Sequence, residues 1–143
     1  MSQWTHVGGY IRIDGIIMPP ITFNLYESKI KDAFGKIIDY DHMGEETIIP
    51  CGSEGSLRYQ IIRQCGDDDS CLAALGVVIW GDLRSYDNVK AIFNWIVNAT
   101  KQPYCNVIRQ AVIQVEVESQ GSYIIQAKRN KKGDIVWKKE KVK

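Results

Sequence analysis

Read in order, the hydrophobic periodicities of this 143-residue chain run strand, helix, strand, strand, helix, strand, followed by two further strands. That order predicts an α+β fold, a ferredoxin-like βαββαβ sandwich with an appended C-terminal β-hairpin. Two stretches anchor the expectation. Leu72 to Trp80 contains no polar residue and is rich in Val, Leu and Ile, as a strand buried on both faces would be. Farther on, Ala111, Ile113, Val115 and Val117 alternate with Gln110, Gln114, Glu116 and Glu118, the pattern of a half-buried strand. With 45% hydrophobic residues the chain suits one domain over residues 1–143, a core over 1–119 and a basic hairpin over 120–143. The expected sheet order is 4-1-3-2 with both helices on one face.

Strand one is expected over Thr5 to Ile16, with Val7, Ile11 and Ile13 on one face and His6, Tyr10, Arg12 and Asp14 on the other. Met18-Pro19-Pro20 ends it, and Asn24 with Glu27 has the spacing of a capping box for the first helix. Tyr26, Ile30, Ala33, Phe34 and Ile37 form that helix's apolar stripe, and Gly35 is a stop signal. Residues 36–56 are acidic and form either a functional loop or a concealed short strand. Leu57, Tyr59 and Ile61 mark strand two, and Gly66 to Ser70 turns the chain into the apolar strand three. GDLRSYD then reads as a turn, with Asp87 capping a helix whose apolar positions are Val89, Ile92, Phe93 and Ile96. After strand four, YIIQAK and DIVWKKEKV form the hairpin around a turn at Arg129 to Gly133. Strand three is apolar at both parities, so its second face calls for a cover. A homo-oligomer through the sheet or hairpin would supply one, as would the hairpin folding back over the sheet.

Composition excludes several classes of function. No stretch of about 18 apolar residues and no basic leader followed by an apolar run occurs, so no membrane partner is expected and the location is read as cytoplasmic. Cys51, Cys65, Cys71 and Cys105 match no paired zinc spacing and read as free thiols, although Cys65 and Cys71 flank a hairpin tip that permits a disulfide. His6 and His42 are the only histidines and have no partners at metal-ligand spacing. Asp67 to Asp69 lacks the ligand pattern of a calcium loop. No metal or cofactor is therefore expected, and no nucleophile elbow or triad is present. Net charge is +1 but uneven: residues 128–143 carry eight basic residues against two acids, and the remainder ten against fifteen. Lys128, Arg129, Lys131, Lys132, Lys138 and Lys139 are accordingly candidates for nucleic-acid contact, or else a solvated surface hairpin. Tyr10 and Trp80 resemble the stacking aromatics of RNA-recognition motifs, without the consensus around strand three.

Topology also draws residues to one sheet edge. The starts of strands one and two, the exit of strand three and the start of the second helix would gather Trp4, His6, Ser53, Glu54, Ser56, Asp82, Arg84 and Tyr86. Arg84 and the GSEGS backbone (Gly52 to Ser56) would meet phosphate, and Trp4 or Tyr86 a base. Equally, these residues would only cap and turn. Arg109 shares the parity of Ala111 and Ile113 and is expected to point inward, either as a ligand contact or paired with Asp14.

The segments WTHVGGYIRIDGI, GSEGSLRY, WGDLRSYDN and IRQAVIQVEVE, in this order, resemble a family of small uncharacterised proteins encoded by bacteriophages and prophages of Gram-positive bacteria. The resemblance covers roughly residues 3–118 and assigns no functional residue. It implies a bacterial host cytoplasm and a non-enzymatic accessory binding protein of phage type. A counter-defence inhibitor, or a sponge for a small anionic or nucleotide ligand, would be its form, with a host protein as another partner. The alternatives are a nucleic-acid-binding module using the hairpin, and a small phosphoester-cleaving or transferring enzyme using His6 and Arg84.

Overall fold

The computed structural model describes residues 2–17, 21–35, 49–66, 72–101 and 107–142. Six strands form one antiparallel sheet: β1 (Trp4–Ile16), β2 (Arg58–Cys65), β3 (Leu72–Arg84), β4 (Val107–Val117), β5 (Gly121–Arg129) and β6 (Ile135–Val142). Their spatial order is β2-β3-β1-β4-β5-β6. Two twelve-residue helices, α1 (Phe23–Phe34) and α2 (Val89–Thr100), complete the described elements. Strand accounts for 56% of the described residues and helix for 21%.

This corrects the expected class. The chain is a β-rich fold dominated by a six-stranded antiparallel sheet, and not an α+β ferredoxin-like sandwich carrying an appendage. The reason is where the last hairpin pairs. β5 bonds along β4 from Val112↔Gln126 to Val117↔Gly121, and β6 bonds along β5, so the sheet continues past β4. The basic character of residues 120–143 had set them apart in the sequence, whereas their alternation makes them sheet. The hairpin therefore extends the sheet and does not fold back over it.

One face of the sheet is covered. Val7, Ile11 and Ile13 of β1, Leu75, Val77 and Ile79 of β3, and Ala111, Ile113 and Val115 of β4 are buried. They form one core with Phe23, Tyr26, Ile30 and Phe34 of α1 and with Ile92, Trp95 and Ile96 of α2. Phe34 meets Trp95 edge-on, with centroids 5.7 Å apart. Burying each such side chain contributes about 1.5–3 kcal/mol, which orders strands whose own pairing would be marginal.

Among the described residues, no helix covers the opposite parity. Trp80, Val112 and Ile62 are 40%, 46% and 39% exposed, and Tyr10, Val78 and Ile124 share their face. Neither helix packs there.

Local signals were redistributed by the tertiary fold. Thr22, not Asn24, caps α1 by accepting from Leu25 N at 3.2 Å. Asn24 and Glu27 instead accept from the Arg63 guanidinium, each at 2.6 Å, and that guanidinium lies 4.3 Å over the Phe23 ring. A cation arriving from β2 outcompetes the local capping box. Asn88, not Asp87, caps α2 by accepting from Ala91 N at 3.1 Å. β3 runs four residues beyond Trp80, because Trp4 of β1 pairs with Arg84 and so prolongs the ladder. Gly35 does end α1, as its position suggested. Cys51 and Cys65 are free thiols. The expectations placed on Ile37, His42, Asp67 to Asp69, Cys71 and Cys105 lie outside the described residues.

Candidate functional site

The edge expected to hold the site forms, and its charges are already matched. The register sets Trp4 opposite Arg84 and His6 opposite Asp82. The 52–55 loop lies against the end of β3 as an extra backbone partner: Ser53 N donates to Arg84 O and Arg84 N to Glu54 O, both at 2.9 Å. Its glycines answer this close approach. A Cβ on Gly55, which has φ +77°, would fall 2.0 Å from Asp82 O. The N–H groups of Gly52 and Ser53 are thus spent on Gly55 O and Arg84 O instead of facing an anion. Ser56 forms an isolated bridge with Cys51.

Arg84 sits in a strand, not an exposed loop, and its guanidinium donates to Glu54 Oε1 at 2.6 Å and to Ser2 Oγ at 2.8 Å. His6 Nδ1 lies 2.6 Å from Asp82 Oδ1 and Nε2 lies 3.4 Å from Glu118 Oε2. The bond to Asp82, opposed by partial burial and aided by Glu118, raises the His6 pKa above its ordinary value. Glu118 also accepts from Trp4 N at 2.9 Å. Tyr86 packs on the core and its carbonyl accepts from Thr5 Oγ1. Burial, then the proximity of Cys51 and Asp87, pushes its phenol up to about 12. A groove of about 550 Å³ beside it is lined by Ser2, Gln3, Ser85, Tyr86 and Asp87. The edge is a set of closed cation–carboxylate pairs, with Glu116 adding further negative charge opposite His6.

Arg109 belongs elsewhere. The β1–β4 ladder slips between Arg12 and Ile13, and this irregularity breaks the parity that would have turned Arg109 inward. Arg109 is exposed and donates through Nε to Asp14 Oδ2 at 3.0 Å, at the opposite end of β1 from Trp4.

His6, Asp82 and Glu116 share the open face's parity, and farther along the strands that face carries a different chemistry. Tyr10 lies across Gly76: a Cβ there would meet Tyr10 Cε2 at 2.7 Å. Gly8 stands between Trp80 and Gln114 in the ladder, and a Cβ on it would meet nothing within 4 Å, so the surface beside Trp80 is clear. Arg58 flanks Trp80 on β2. The hairpin's candidate residues divide. Lys128 and Lys138 share the face of Tyr10 and Trp80 through the register Val112↔Gln126↔Lys138. Lys139 takes the helix side, 6.0 Å from the Phe93 ring, Arg129 ends β5, and Lys131 and Lys132 lie in the turn. Tyr10 and Trp80 were named from the sequence as stacking aromatics, and parity places them on this face: Trp80 alternates with the buried Ile79, and Tyr10 with Ile11.

Among the described residues, no cluster of three or more His, Cys, Asp or Glu side chains is placed to hold a metal ion. No described helix is long and apolar enough to cross a membrane. Comparison with protein-family models, curated proteins and solved structures finds no match to this chain.

Proposed function

We propose that the protein is a non-catalytic binding protein whose open sheet face takes single-stranded nucleic acid. The observation that carries this reading is the pair Tyr10 and Trp80, on adjacent strands of a face that no described helix covers, kept flat by Gly76 and Gly8. Bases stack on such aromatics whatever their sequence. Arg58, Lys128 and Lys138 on the same face supply cations for phosphates, and Gln60, Gln114 and Gln126 supply amides for base edges. The reading keeps the non-enzymatic class and moves the ligand from the acidic edge to the open face. A bacterial cytoplasm and a phage-type accessory role belong to the same proposal and rest on the resemblance of the sequence.

The test is fluorescence anisotropy with a labelled oligonucleotide of about ten nucleotides, near the span of one sheet. Trp80→Ala is expected to weaken binding roughly 5- to 150-fold, the worth of one stacked base. Lys128→Gln and Lys138→Gln should each lower the salt slope by about one. No binding at low salt, or unchanged affinity in Trp80→Ala, overturns the reading. If light scattering then finds a dimer that Trp80→Ala dissolves, a second copy of the chain is the face's occupant.

A further inference from the structure

At the end of the sheet away from His6, Asp14 holds two arginines. Arg12 Nε donates to Asp14 Oδ1 and Arg109 Nε to Asp14 Oδ2, both at 3.0 Å. One carboxylate against two guanidiniums leaves a net positive charge. Each fork engages this carboxylate through Nε, one of five N–H donors in a guanidinium. Asp14 thereby fixes two cations side by side without neutralising both. The slip in the β1–β4 ladder brings Arg109 here, since regular pairing would have turned it toward the core with Ala111. Ladder irregularities commonly re-aim a side chain in this way.

Both arginines line one cavity of about 290 Å³. Its remaining walls are largely apolar, with Ile16, Leu72, Ala73 and Val107 among them. Ile16 and Leu72 are 70% and 63% exposed, the largest exposures of any large apolar side chain described. An apolar hollow with a few convergent charged groups is the usual form of a small-molecule site, and this volume lies at the small end of that range. Paired guanidiniums match the oxygens of a carboxylate or phosphate.

We infer that the Arg12–Arg109 cavity binds a small organic anion, a carboxylate or phosphate monoester carried on an apolar body. The inference stands apart from the nucleic-acid reading, because it uses the end of the sheet and needs neither Trp80 nor the hairpin.

Calorimetric titration of the full chain with benzoate, phenyl phosphate and inorganic phosphate tests it. Benzoate, phenyl phosphate or both should bind, and which of them binds identifies the anion. Inorganic phosphate should bind at least about tenfold more weakly than the preferred aryl probe, since it cannot use the apolar wall. Arg109→Gln should weaken binding about tenfold or more, since it removes a charge-assisted contact, while its circular dichroism spectrum and that of Lys131→Gln stay native. Lys131→Gln should bind as the parent does. Absence of binding by both aryl probes at millimolar concentration, equal binding of inorganic phosphate, or unchanged affinity in Arg109→Gln each overturns the proposal.

Discussion

The two faces of this sheet are made from the same strands and differ in almost everything else. On the helix side, Ile11, Leu75, Val77, Ile79 and Ile113 are fully buried and carry the stability of the fold. One residue along each strand, Tyr10, Val78, Trp80 and Val112 sit on the uncovered side, among glutamines, basic residues and the carboxylates Glu116 and Glu140. Apolar content alone does not separate the two faces. Cover does, and cover is decided by where two helices of twelve residues can reach on a sheet of six strands. Strands about 4.8 Å apart and helices about 10 Å wide mean that two helices only just span one side. Among the described residues, the apolar side chains left over on the other side are consequently without a helix to cover them.

The sharpest way to break this comparison is to truncate one residue on each side of β3. Leu75→Ala should cost about 2–5 kcal/mol in urea denaturation, through lost burial and the cavity left behind. Trp80→Ala, five residues on and of opposite parity, should cost under about 1 kcal/mol, because its ring is already partly in water. Equal losses at the two positions would mean that the open face is covered in solution and that the two faces do not differ in cover.

A smaller effect is expected at the glycines that keep the open face flat. In Gly76→Ala the new methyl would lie 2.7 Å from Tyr10 Cε2 and 2.9 Å from Gln64 Nε2, so the tyrosine ring must lift. Oligonucleotide affinity should fall several-fold while stability moves by no more than about 1 kcal/mol, strand propensity offsetting the displacement. Gly8→Ala, which meets nothing within 4 Å, should do neither. Tyr10 ring resonances in NMR spectra of the two variants would separate displacement of the ring from a general change in the sheet.

The smallest effect concerns the acidic edge. Because Asp82 and Glu118 raise the His6 pKa above 6.5, the folded state holds the proton more tightly than the unfolded chain does. The resulting stability is fully present below pH 6.5 and is lost as pH rises through the folded-state value. With the His6 side chain 43% exposed, screening limits the contribution to at most about 1 kcal/mol. Melting temperature should therefore fall slightly between pH 6 and pH 8, and His6→Gln should remove that slope. An identical slope in the variant would assign the titration to another group.

Several elements were legible in the sequence because their causes are local. The alternation through Ala111, Ile113, Val115 and Val117 is enough to make β4, since period two turns every second side chain to the same side. The stripe of Tyr26, Ile30 and Phe34 is enough to make α1, and Gly35 to end it. The gathering of Trp4, His6, Asp82 and Arg84 at one edge was also legible, because antiparallel direction alone brings those strand ends together.

What only the tertiary structure decided depends on partners distant in the chain. Arg84 was readable as an anion ligand until Glu54, thirty residues earlier, claimed its guanidinium. Asn24 and Glu27 were readable as a capping box until Arg63 arrived from β2. The pairing of Arg109 with Asp14 was among the readings of the sequence, but parity set Arg109 inward until one slip in the ladder with β1 turned it out. The hairpin read as an appendage until β5 bonded to the edge of β4 and made the fold one β-rich sheet. A sequence states what each residue offers at short range, through period, capping and charge. Which offer is taken up is settled by register, because a shift of one residue along a strand exchanges every partner and every face at once.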